Sequence, residues 1–150
     1  MRGIILAGGE GTRLFPLTKV ASKQLMPVYD KPMIYYPLTT LMMVGIRQIL
    51  IISNEDGIFN LKRLCGDGSQ WGIRLEYAKQ DRANGIAEAL LIGESFIAGE
   101  SFALILGDNI FYGHGVLETL LQAAAHARDG VGILTYTVAN PQDYGVLSVN

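Results

Sequence analysis

The residues of this chain best able to do chemistry sit where short apolar runs break off. The first break is Gly8-Gly9-Glu10-Gly11-Thr12-Arg13, directly after Ile4-Ile5-Leu6-Ala7. Its glycines let the backbone approach an anion closely and turn several N–H groups toward it. Thr12 adds a hydroxyl, and Arg13 adds a planar, permanently charged fork that matches phosphate oxygens. Two common phosphate loops are excluded. A dinucleotide fingerprint, G-x-G-x-x-G, counted from Gly9 and Gly11 needs a third glycine where this chain has Leu14. A nucleotide-hydrolase loop needs Gly-Lys before Ser or Thr, and no Gly-Lys dipeptide occurs. Two readings stay open: an anion grip of another kind, or a glycine-rich turn with a surface arginine.

Two further residues add to the set. Lys23, within Ser22-Lys23-Gln24-Leu25-Met26-Pro27-Val28, can neutralise charge growing on phosphate oxygens during group transfer. Its alternative is a solvated surface lysine. Asp108 ends the run Leu104-Ile105-Leu106-Gly107 and precedes Asn109. A carboxylate there suits Mg²⁺, which takes one or two carboxylates together with phosphate oxygens and water. The alternative is an Asp-Asn turn after a strand. No other catalytic set competes. His114 and His126 have no adjacent nucleophile or carboxylate arrangement, and G-x-S-x-G, H-E-x-x-H and C-x-x-C are all missing. Cys65 is the single cysteine, so neither an intrachain disulfide nor a cysteine-based zinc cluster can form.

The elements that must hold these residues follow from periodicity. Strand-like runs lie at 3–7, 48–53, 74–78, 102–107, 132–138 and 146–149. Ile4-Ile5-Leu6, Ile49-Leu50-Ile51-Ile52 and Phe102-Ala103-Leu104-Ile105-Leu106 are apolar without alternation, the pattern of strands covered on both faces. Helical spacing links Leu38, Leu41, Met42 and Ile46; Ile58, Leu61 and Leu64; Ile86, Leu90, Ile92 and Phe96; and Val116, Leu117, Leu120, Leu121 and Ala124. The alternation predicts an α/β fold, a Rossmann-like three-layer α/β/α arrangement around a mostly parallel central sheet. Ligands of such sheets bind outside the carboxyl ends of the strands, which singles out the loops 8–14, 53–57, 78–85 and 108–115.

Composition bounds the partners. The chain has 150 residues, 49% hydrophobic and 17% charged, enough for one domain with a sizeable core. Net charge is −2 with no basic block, which argues against nucleic-acid polymers and anionic membranes while leaving a small anion open. The short apolar run before Gly8 is too brief for a signal peptide, and no stretch reaches bilayer length, so a cytoplasmic location is expected.

Longer stretches carry a resemblance. Leu6-Ala7-Gly8-Gly9-Glu10-Gly11-Thr12-Arg13-Leu14 and the block from Ser22-Lys23-Gln24-Leu25-Met26-Pro27 to Tyr35-Tyr36-Pro37-Leu38 closely resemble the sugar-1-phosphate nucleotidyltransferases. Gly66-Asp67-Gly68-Ser69-Gln70-Trp71-Gly72, Leu91-Ile92-Gly93-Glu94-Ser95-Phe96-Ile97, Leu106-Gly107-Asp108-Asn109-Ile110-Phe111-Tyr112-Gly113-His114 and Asp143-Tyr144-Gly145-Val146 extend it over the whole chain. Within the family the sequence looks like the glucose-1-phosphate thymidylyltransferases, which open the dTDP-L-rhamnose pathway.

The resemblance implies transfer of a thymidylyl group from dTTP to glucose-1-phosphate, with Mg²⁺ as cofactor. It implies that Gly8, Gly11, Thr12 and Arg13 bind the triphosphate and that Lys23 acts near the α-phosphate with Gln24 beside it. Gln80 and Gly85 would read the base, Asp108 would carry the metal, and Asn109, Tyr144 and Gly145 would face the sugar. Arg13 and Lys23 would be the catalytic pair. Relatives often carry a proline after the equivalent of Gln80, whereas Gln80-Asp81-Arg82-Ala83-Asn84-Gly85 has none. Family members are about twice this length and usually homotetrameric. Residues 1–150 are therefore expected to form one nucleotide-binding domain shortened at its carboxyl end. A uridylyl- or cytidylyltransferase for another sugar phosphate, and an inactive nucleotide-binding fragment, are the alternatives.

Overall fold

Strands without a polar face need cover on both sides; the runs 4–6 and 49–52 receive it, whereas in 102–106 only Ile105 is buried. The computed structural model describes residues 1–9, 11–82, 84–126, 130–143 and 145–147. Its strands are β1 (Arg2–Leu6), β2 (Pro27–Val28), β3 (Lys31–Pro32), β4 (Gln48–Ser53), β5 (Arg74–Lys79) and β6 (Phe102–Leu106). Four of them pair in parallel in the order β5-β4-β1-β6, while β2 and β3 form a small antiparallel ribbon.

Side chains alternate between the two faces of the sheet. Ile5, Ile49, Ile51, Leu75 and Ile105 point into one core, closed by Leu38 and Leu41 of α1 (Tyr35–Met43) and Leu61 and Cys65 of α2 (Glu55–Cys65). Ile4, Leu50 and Ile52 point into the other, closed by Ala89 of α3 (Ile86–Ile92) and Phe96 of α4 (Glu94–Ile97). The expected three layers are present. α2 starts on an Asn54 cap whose Oδ1 accepts the Gly57 N–H at 2.8 Å, with Glu55 and Asp56 in its first turn.

The single helical pattern read through Ile86 and Phe96 is two helices meeting at Gly93. A side chain there would reach to 2.9 Å from Ile4 Cδ1, so the glycine lets this layer sit tightly on β1.

The last part of the chain departs from expectation. Residues 132–138 form no strand, and neither do Val146 and Leu147; Ser148 and Val149 lie outside the described residues. Val131 is 91% exposed and Ile133 62%, so this apolar run is not buried as a sheet strand would be. Strand propensity is expressed only where a neighbouring edge and a covering layer take up the side chains. α5 (Val116–His126) has no buried residue, with Leu117 and Leu121 exposed. Among the described residues no helix is long and apolar enough to cross a membrane.

The strand order defines where a ligand belongs. From β1 the chain proceeds outward to β4 and β5, then returns to lay β6 on the opposite side of β1. The connections diverge at the carboxyl ends of β1 and β6, and that divergence opens a crevice.

Candidate functional site

The carboxyl ends of the four parallel strands are tied together. Ala7 N–H donates to the Ile52 carbonyl at 2.7 Å, Gly107 N–H to Leu6 at 2.8 Å, and Gln80 N–H to Ser53 at 2.8 Å. Ser53, itself buried, donates its hydroxyl to the Ala7 carbonyl at 2.8 Å. A side chain at Gly107 would come to 3.0 Å from both Ala7 Cα and Gln24 Cγ. Ser53 opens one of the loops expected to face a ligand, whereas Gly107 is a site residue that sequence reasoning alone does not mark. Its one signal is that it is a small residue ending an apolar run.

On this rim stands the glycine loop. Gly11 has a left-handed backbone (φ +59°), and its carbonyl accepts the Thr18 hydroxyl at 2.8 Å. A Cβ on Gly11 would lie 2.9 Å from Thr18 Cγ2 and 3.2 Å from Lys23 Cβ, so the Lys23 stem packs against the loop. The other end of that side chain reaches across the crevice, placing Lys23 Nζ 2.5 Å from Asp108 Oδ2. The three stretches singled out separately therefore converge: the loop, the lysine and the strand-end carboxylate. Both partners are partly open to solvent, at 30% and 37% side-chain exposure. Thr12 and Arg13 are exposed, and Arg13 makes no ion pair among the described residues.

Gln24 plays a different part from its neighbour. It is 2% exposed, with its amide nitrogen 3.4 Å from the Gly8 carbonyl and its oxygen accepting the Ser22 hydroxyl at 2.5 Å. It supports the loop from beneath.

On the β5 side, Gln80 is 5% exposed and donates from Nε2 to Glu88 Oε2 at 2.5 Å. A longer contact of 3.5 Å runs from the same nitrogen to the Gly85 carbonyl. Asn84 Nδ2 holds the other Glu88 oxygen at 3.0 Å. Hydrogen bonds from Gln80 and then Asn84 hold the Glu88 carboxyl below its usual value. Gly85 has φ +92°, which gives the turn into α3 a backbone that few other residues accept. A Cβ on Gly8 would lie 3.4 Å from Gln80 Oε1, so the glycine loop and Gln80 are direct neighbours. Nothing in the sequence marks Glu88 as a site residue, for it has the form of an ordinary first-turn helix acid.

Asn109 is exposed just past β6, its N–H donating to Leu106 at 3.1 Å. Gly145 lies in an exposed stretch without regular structure, and Tyr144 is outside the described residues. No group of three or more His, Cys, Asp or Glu residues gathers among the described residues. A cation at Asp108 would thus depend on ligand oxygens and water, a donor set that suits Mg²⁺ bound with a polyphosphate.

The sequence model of the nucleotidyl transferase family matches residues 2–150. The chain belongs to that family. It is 54% identical over 150 residues to a glucose-1-phosphate thymidylyltransferase of Neisseria meningitidis, covering 100% of this chain and 52% of the relative. It is 56% identical over 147 residues to one of Actinoplanes, covering 98% and 48%. This nucleotidyl transferase chain thus spans about half the length of the curated relatives it matches. Among solved structures, a protein described as a glucose-1-phosphate thymidylyltransferase from Bacillus anthracis, in complex with sucrose, superposes with a TM-score of 0.74. Its identity is 40%, over 82% of this chain and 51% of that one. A UDP-glucose pyrophosphorylase complexed with UDP-glucose gives 0.69 at 26% identity, over 85% and 53%.

Proposed function

We propose that this chain is the nucleotide-binding part of a glucose-1-phosphate thymidylyltransferase, joining dTTP and glucose-1-phosphate into dTDP-glucose and pyrophosphate, the first step of dTDP-L-rhamnose biosynthesis. The observation that carries the reading is Lys23, packed on Gly11 at one end and paired with Asp108 at the other. Positive charge, carboxylate and glycine loop then share one crevice at the switch point of the sheet. The identities of 54% and 56% to named thymidylyltransferases support the choice of substrates.

The reaction asks little covalent chemistry of the protein. An oxygen of the sugar phosphate forms a new bond to the α-phosphorus of dTTP, and the bond from that phosphorus to the bridging oxygen breaks. Pyrophosphate leaves with the electron pair. Rate then depends on alignment and on neutralising charge. The loop N–H groups and Arg13 would hold the outer phosphates, and the Lys23 ammonium would face the α-phosphate. Asp108 would hold Mg²⁺, whose chemistry when bound is to neutralise phosphate oxygens and favour the departing pyrophosphate. Gln80, which adjoins Gly8, and Gly85 would read the base, while Asn109 would lie toward the sugar.

The test is pyrophosphate release by the full chain with Mg²⁺, glucose-1-phosphate and either dTTP or UTP. The expected result is pyrophosphate with dTTP, matched by an equal amount of dTDP-glucose. Faster turnover with UTP would transfer the assignment to a uridylyltransferase, and nucleotide binding without pyrophosphate would reduce it to a binding domain.

A further inference from the structure

We infer that Glu88 is a positioning residue for base selection, fixing the Gln80 amide so that its carbonyl oxygen, and not its amino group, faces the nucleotide beside Gly8. The inference rests on the proposed reading that Gln80 contacts the base.

An amide oxygen and nitrogen are nearly the same shape, so a glutamine alone does not determine which end faces a ligand. Its neighbours must decide. An ionised carboxylate offers only acceptors, so the Gln80 end turned toward Glu88 has to be the amino group. The geometry is consistent throughout: Nε2 lies 2.5 Å from Glu88 Oε2, and its longer contact, 3.5 Å, is to another acceptor, the Gly85 carbonyl. Asn84, in the loop leading into α3, pins the second carboxylate oxygen at 3.0 Å. The Gln80 and Asn84 amides also favour the charged form of Glu88, which maintains its acceptor-only character.

The remaining atom is Oε1. It accepts no hydrogen bond among the described residues, although no fully buried side-chain polar atom there lacks a partner. It lies beside the glycine loop, at the position where a Gly8 Cβ would come to 3.4 Å. A fixed acceptor at that point selects a base edge that carries a hydrogen. The ring imide N–H of thymine or uracil satisfies it, whereas cytosine presents a ring-nitrogen acceptor at the same place. Opposed acceptors leave a polar group unpaired, which is the more effective way to reject a near-isosteric ligand. The device separates imide pyrimidines from cytosine and is indifferent to the methyl group of thymine.

The experiment is equilibrium binding of dTTP and dCTP, each with Mg²⁺, to the full chain and to Glu88→Gln, Gln80→Ala and the double variant. Melting temperatures of all four are recorded alongside. A glutamine at 88 keeps the size of the side chain but can donate as well as accept, so the Gln80 amide is free to turn. The expected result is a dTTP preference that falls about tenfold in Glu88→Gln, chiefly through tighter dCTP binding, with little change in melting temperature. Gln80→Ala should lose the preference too, and adding Glu88→Gln to it should change the ratio no further. An unchanged ratio in Glu88→Gln, with the ratio lost in Gln80→Ala, overturns the positioning role and leaves the base contact standing. An unchanged ratio in Gln80→Ala overturns the base contact itself. Equal weakening of both nucleotides by Glu88→Gln, with a lower melting temperature, assigns Glu88 a structural role and also overturns the inference.

Discussion

Lys23 and Asp108 neutralise one another across 2.5 Å, and under the proposed reading each would have a second use once a nucleotide binds. A metal on the carboxylate would release the ammonium toward phosphate oxygens. Replacing Lys23 by Ala in the full chain should lower kcat about a hundredfold or more while the fold survives, since the pair is partly exposed. A steady-state pyrophosphate assay with a melting curve checks both halves. Asp108→Asn should flatten the Mg²⁺ dependence of dTTP binding, and EDTA should then weaken the wild type but hardly affect the variant, as titration calorimetry would read. At Gly8 the prediction is steric. Gly8→Ala would set a methyl 3.4 Å from Gln80 Oε1 and shield that acceptor. dTTP affinity should fall about tenfold with no matching loss of stability. Legibility at this scale was uneven. Gly8, Gly11, Arg13, Lys23 and Asp108 could be picked out because glycine clusters and isolated charges at strand ends are rare in a chain with 17% charged residues. Gly107 could not, because its role arises through Ala7 and Gln24, distant in sequence, and Glu88 could not, because a first-turn helix acid does not announce the amides it holds.

Among the elements, the parallel strands and the helices were readable because burial on two faces leaves an unbroken apolar run. The strand expected over 132–138 shows the limit of that logic. Its composition suits a strand, but Ile133 and Tyr136 stay exposed. Propensity proposes a strand, and a partner edge decides it. The loop–helix connections permit sharper predictions. Gly11→Ala should destabilise the chain by about 1–2 kcal/mol, because φ +59° is costly for alanine and its Cβ would meet Thr18 Cγ2 at 2.9 Å. Urea denaturation would measure that loss. Cys65 reports on α2. It is fully buried, and burial pushes its thiol from the ordinary 9.0 up to about 11. The folded state thus favours the protonated thiol. That preference is fully present below the unfolded value and is lost as pH rises through the folded one, so stability should decline between about 9 and 11. A thiol reagent at pH 8 should label Cys65 slowly in the native chain and rapidly in urea; rapid native labelling would mean that α2 opens readily.

At the scale of the whole molecule, the sheet puts every proposed nucleotide contact on one rim. The order β5-β4-β1-β6 brings the loops after β1 and β6 side by side, and the hydrogen bonds among Ala7, Ile52, Ser53, Gln80, Leu6 and Gly107 hold that rim in register. The chain covers 52% of the length of the Neisseria relative, and every residue of the proposed nucleotide grip lies within that share. Amide chemical-shift mapping of the chain titrated with dTTP and Mg²⁺ tests the central claim most directly. The largest shifts should fall in residues 8–13, at Lys23, in residues 80–88 and in residues 107–109. Shifts concentrated at the opposite rim of the sheet, around the amino ends of the strands near Met1, Arg47 and Ser101, would contradict it.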